Sequence, residues 1–156
     1  MKKVVLYLII YFMSICIYSE NSFYKRGDLN IVLEASIQNK AIHVYLSLKN
    51  NKSENCYIPY YYLNFYCEDN NEQTMKNDWL RIYDDKNRRI PYTGLVSSPI
   101  KKWEISECYY LGKNQEYIIN LNDLQNNYVI NNTKWITIKY LGPLGESNTV
   151  KLKIKW

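Results

Sequence analysis

Between residues 41 and 49 the chain alternates without a break. Ile42, Val44, Leu46 and Leu48 are apolar, whereas His43, Tyr45, Ser47 and Lys49 carry polar atoms. A period of two places one set on each face of an extended strand and cannot sort onto one side of a helix. Residues 29–36 repeat the pattern, with Leu29, Ile31, Leu33 and Ala35 set against Asn30, Val32, Glu34 and Ser36. The short polar connection between the two runs predicts an antiparallel pair.

The rest of the chain reads in the same way. Residues 56–63 form a third strand signal whose Pro59 asks for an edge position or a bulge. Residues 64–78 are polar and irregular, and predict the longest loop. The strongest hairpin signal lies in residues 78–95, where a turn-forming DDKN separates 79–84 from 90–95. Strand signals follow at 103–111 and at 115–121, the second with Tyr117, Ile119 and Leu121 on one side. Leu124 and Tyr128 stand at helical spacing and predict a single helical turn. Residues 134–140 and 149–155 alternate again, joined by a loop over 141–148 that holds Gly142, Pro143 and Gly145. About eight or nine short strands with almost no helical pattern predict an all-β chain, an antiparallel immunoglobulin-like β-sandwich, with a closed barrel as the alternative.

Lys2 and Lys3 precede an apolar run over residues 4–18, interrupted by Ser14, and Ser19 stands before the first acid, Glu20. This is the layout of a signal peptide over residues 1–19, followed by a short lead-in at 20–28 and the domain at 29–156. The run is shorter than the ~20 apolar residues that span a bilayer. In the alternative reading Cys16 is lipidated and anchors the chain. Export leaves 18 basic against 15 acidic side chains, or +3, and the basic clusters at 86–89 and at Lys101 and Lys102 read as solvated loops. A nucleic-acid partner is not expected.

Cys56, Cys67 and Cys108 remain after export, an odd number in an oxidising compartment. They predict one disulfide and one free thiol, with three pairings open. His43 is the only histidine. It sits on the polar face of its strand, so neither a hydrolytic zinc site nor a Ser-His-Asp triad can be assembled. No nucleophile elbow, phosphate-cradling glycine loop or calcium loop is present. The expectation is a non-catalytic chain without a cofactor.

The order of features resembles that of a known family. It comprises the strand end at Leu46, Leu48 and Asn50, the hairpin from Leu80 through Asp84 to Ile90, Tyr92 and Gly94, and Tyr109 to Lys113. These lead to the strand from Tyr117 to Leu121, the corner at Asp123, Leu124 and Tyr128, and the segment from Trp135 to Tyr140. The series is similar to the N-terminal prosegment of deuterolysin-type, peptidyl-Lys zinc metalloendopeptidases. Lys113 and Asn114 depart from it where the family's turn has Pro and Gly, and the HExxH of the protease is absent. The resemblance implies an immunoglobulin-like fold without peptidase activity, and by analogy an inhibitor-like role. The expected partner is a protein, met through the loops after Leu63 and Leu95 and through Tyr60, Tyr61, Tyr62 and Trp103 as aromatic anchors. The alternative is a structural domain of the cell envelope, held to a membrane only by its signal peptide or a lipid on Cys16.

Overall fold

The computed structural model describes residues 22–69, 72–97 and 102–154. The signal segment and Cys16, Lys101 and the side chain of Cys67 lie outside the described residues. Among the described residues no helix is long and apolar enough to cross a membrane.

The two alternating runs form the longest ladder. β1 (Ser22–Phe23) is brief, and β2 (Leu29–Gln38) and β3 (Ala41–Asn50) then pair antiparallel over their whole lengths. Their connection is two residues, Asn39 and Lys40, with φ of 51° and 64°. Two left-handed residues in succession give the twist that a tight hairpin needs. The apolar set from the alternation is the buried set: Leu29, Ile31, Leu33, Ile42, Val44, Leu46 and Leu48 all lie in the core.

β4 (Cys56–Pro59) stops at the proline, where residues 60–63 had been expected to continue the strand. Pro59 has no N–H for the ladder, and the following Tyr60–Leu63 closes instead into one helical turn, α1, in which Asn64 N–H bonds the Tyr60 carbonyl. The expected loop over 64–78 is mostly a second hairpin, β5 (Tyr66–Asp69) against β6 (Glu72–Met75). β7 (Leu80–Tyr83) leads into the DDKN turn as expected, and Asp84 caps that turn by accepting from the N–H groups of Lys86 and Arg88. The second arm leaves β7 after Ile90, because Pro91 cannot donate to it. It crosses instead to Tyr128 and then to Met75.

A 3-10 turn (Ile105–Glu107) shortens the expected strand at 103–111 to β8 (Cys108–Leu111). β9 (Glu116–Leu121) and a 3-10 turn (Leu124–Asn126) follow, and β10 (Trp135–Gly142) meets β11 (Gly145–Lys153). The loop expected at 141–148 is only the bend at Pro143 and Leu144, with Gly145 at φ 138°.

β11 carries a bulge: Lys139 faces Thr149 and Leu141 faces Glu146, so Ser147 and Asn148 oppose Tyr140 alone. A bulge re-aims the side chains it carries. Ser147 Oγ accepts the Tyr140 N–H, and the Asn148 amide turns to the edge of β2, taking the Leu33 N–H at 2.7 Å and giving to its carbonyl at 3.0 Å. One side chain thus does the work of a ladder rung between two sheets.

The sheets are β2-β3-β9, β7-β10-β11, the smaller β1-β4-β8, in which β1 runs parallel to β4, and the β5-β6 hairpin. The first three send their buried faces into one core, which holds Leu46, Leu121, Ile82, Ile138, Tyr140 and Ile58 together. The fold is all-β with antiparallel sheets, as the alternation predicts.

Candidate functional site

The site is built on α1. One helical turn sends three successive tyrosines in three directions. Tyr60 is 52% exposed and meets Tyr109 edge-on at 6.3 Å. Tyr61 stacks on Trp103 at 5.7 Å, donates its hydroxyl to the Ser97 carbonyl at 2.8 Å and accepts from Asn77 Nδ2 at 3.0 Å. The Lys76 ammonium lies 5.5 Å from the Tyr61 ring centre. Tyr62 is half-buried and meets Trp103 at 5.8 Å, Trp79 at 6.1 Å and Tyr24 at 6.0 Å, all edge-on.

These contacts continue inward. Trp79 stands perpendicular to Phe65 at 5.1 Å, and Phe65 meets the fully buried Tyr140 at 6.0 Å. Each such pair contributes about 0.5–1.5 kcal/mol beyond the area it buries. A run of ring contacts therefore connects the half-buried Trp103 to the core.

Beside Tyr62 opens a cleft of about 440 Å³. Phe23, Tyr24, Pro59, Tyr62, Trp103 and Pro143 make its walls, and the exposed Arg26 and Lys102 stand at its rim. Four distant parts of the chain meet here. The lead-in arrives because β1 pairs with β4, and Tyr24 N–H bonds the Tyr57 carbonyl. Pro143 arrives on the bend between β10 and β11. Burial, with Tyr62 close by, pushes the Tyr24 phenol well above its ordinary range, so it stays neutral and can donate. Among the described residues lining the cleft there is no carboxylate. Its chemistry is that of a flat apolar surface beside two cations.

Of the four aromatic anchors expected from sequence, Tyr61, Tyr62 and Trp103 form one cluster and Tyr60 points away from it. Phe23, Tyr24, Arg26 and Pro143 were not anticipated. The lead-in carries no strand pattern of its own, and the sequence around Lys102 predicts only a solvated loop. Of the loops expected to make contact, the one after Leu63 is largely hairpin, and the one after Leu95 carries Val96, 79% exposed.

The expected disulfide is not formed by the described cysteines. Cys56 and Cys108 are both buried free thiols. In the β4–β8 ladder Cys56 faces Leu111 and Cys108 faces Pro59. The two lie three positions apart, roughly 10 Å along the strands, and alternation turns them to opposite faces. A bridge needs Cα atoms within about 7 Å. Burial, with Asp28 nearby, pushes the Cys56 thiol up to about 11, and burial raises Cys108, whose Sγ donates to the Glu104 carbonyl. Both are poor nucleophiles.

His43 Nδ1 pairs with Asn122 Oδ1 at 2.9 Å, far in sequence from the cleft residues. The three arginines of the DDKN hairpin are tied down: Arg88 pairs with Asp84 at 2.7 Å, while Arg89 and Arg81 both pair with Asp78. Among the described residues no three His, Cys, Asp or Glu side chains converge as metal ligands would. No protein-family model matches the chain, and no curated protein matches it.

Proposed function

We propose that this chain is an exported, non-catalytic immunoglobulin-like domain that binds another protein through the cleft between Tyr24, Tyr62 and Trp103. The observation that supports the reading most is the cleft's composition: aromatic walls anchored to the core, with Arg26 and Lys102 at the rim. Rigid aromatic surface is what anchors an interface, and rim cations set orientation and association rate. The matching segment carries a carboxylate next to an apolar side chain. An inhibitor-like role toward a protease rests on the resemblance to the prosegment alone.

The test is affinity capture from the secreted fraction of the producing organism, with the wild-type domain and an Arg26→Glu/Lys102→Glu variant side by side. A partner held by the wild type, released by added salt and lost from the variant is the expected result. Equal retention by the variant would sink the cleft as the contact. Addition of the domain to a peptidyl-Lys metalloendopeptidase checks the inhibitor role, which fails if cleavage is not slowed.

A further inference from the structure

β9 is the outer strand of its sheet. β8 precedes it by a four-residue turn, yet pairs with β4 and not with β9. Along the edge left over runs a groove of about 400 Å³. One side is Tyr117, Ile118, Ile119 and Asn120; the other is α1 and its extension, with Tyr60, Leu63, Phe65 and Tyr66. Consecutive strand residues alternate faces, so a groove touching four in a row follows the strand's edge and not a face.

The register says which backbone groups look into it. Asn50 N–H donates to the Gln115 carbonyl, and Leu48 then faces Tyr117 and Leu46 faces Ile119. In an antiparallel ladder every second residue bonds its neighbour and the others turn their N–H and C=O outward. The outward ones here are Ile118 and Asn120. Asn122 has the same parity, and its carbonyl accepts from the Tyr66 hydroxyl at 3.0 Å, which closes one end of the groove. Among the described residues no ladder joins β9 to the facing wall.

We propose that β9 takes up an extended segment of a partner protein as an added strand. The segment bonds the backbones of Ile118 and Asn120 and turns alternate apolar side chains toward the buried Leu63 and Phe65. No charged residue is among the described lining, so the segment is uncharged where it lies in the groove. A single strand fits where a second copy does not: another chain's β9 arrives with β3 on its far edge, which would run into the wall at Tyr60 and Tyr66. This groove and the Tyr62–Trp103 cleft share no lining residue, so each stands or falls alone.

The probe is a short capped peptide of alternating valine and threonine added to the full chain, read by amide hydrogen exchange. Both the Ile118 and Asn120 amides exchange fast in the free protein and slow at least roughly tenfold when the peptide is bound. The same peptide N-methylated on every residue, which leaves no N–H donor on either edge, does not bind. Ile118→Pro removes one groove-facing N–H and leaves the β3 ladder intact, so it weakens binding roughly tenfold, whereas Ile118→Thr binds as the wild type does. Absence of protection at saturating peptide overturns the proposal, as does equal binding of the N-methylated peptide, a control that holds even if the proline variant fails to fold. Concentration-dependent self-association abolished by Ile118→Pro also overturns it, by assigning the edge to a second copy.

Discussion

Asn50 shows how much one polar residue can hold in a core. It is fully buried. Its Nδ2 gives to the carbonyls of Glu54, Leu111 and Gly112, its Oδ1 takes the Lys52 N–H, and its own backbone bonds Asn114 and Gln115. A buried polar group that loses its partner costs about 1–3 kcal/mol, and Asn50→Ala takes the acceptor from the Lys52 N–H and a donor from the Glu54, Leu111 and Gly112 carbonyls, the last of which keeps the Gln115 N–H. Urea unfolding of that variant is expected to show a loss of at least that size with an unchanged slope. Asp84 predicts a pH effect. The Arg88 N–H, the Arg88 guanidinium and the Lys86 N–H hold its carboxyl below the ordinary 3.8. A carboxyl depressed by folding stabilises above its unfolded value, and the effect fades as pH falls through the folded one. The stability difference between wild type and Asp84→Asn is therefore expected to be constant at neutral pH and to vanish in acid. A flat difference from neutral to strongly acidic pH would show that the turn does not use the charge.

Among the elements, the β2–β3 hairpin was legible in full and the segments after it only in part. Its weak spot is Lys40, a side-chain-bearing residue at φ 64°. The left-handed conformation costs an L-residue roughly 1–2 kcal/mol, and glycine removes that while adding about 0.5–1 kcal/mol of unfolded-chain entropy. Lys40→Gly is expected to raise stability by roughly 0.5–1 kcal/mol, read as a higher denaturation midpoint. A lower midpoint would mean that Lys40 makes a contact worth more than the strain. The segment at 56–63 departs from the expected strand because its apolar run has no period to separate a strand from a turn of helix. The missing N–H of Pro59 decided the outcome. At 64–78 the polar composition hid a hairpin, because two short strands at the edge of a fold need no alternation strong enough to see.

For the molecule as a whole, the ring series from Trp103 to Tyr140 links the cleft to the core. Trp79 sits in the middle, touching Tyr61, Tyr62 and Phe65. Trp79→Ala is expected to cost about 3–5 kcal/mol by thermal or urea unfolding, as large-to-small core changes do. Trp103→Ala, in the cleft wall and stacked on Tyr61, is expected to cost only about 1–2 kcal/mol. Similar losses for both would mean that Trp103 is as much a part of the core as Trp79. The contrast gives a variant that alters the cleft while keeping the fold.

The alternation of residues by itself determined the all-β class, the inward faces of β2, β3, β9 and β10, and the turns at Asn39, Asp84 and Asn114, because side-chain direction along a strand is a local property with a period of two. Tertiary structure alone decided that β8 leaves β9 for β4, that the bulge at Ser147 sends Asn148 to β2, and that Cys56 and Cys108 face apart. Partner choice depends on which edges remain open once every strand has buried its apolar face. The cleft follows from the same cause, since Tyr24, Tyr62, Trp103 and Pro143 become neighbours only after those pairings are made.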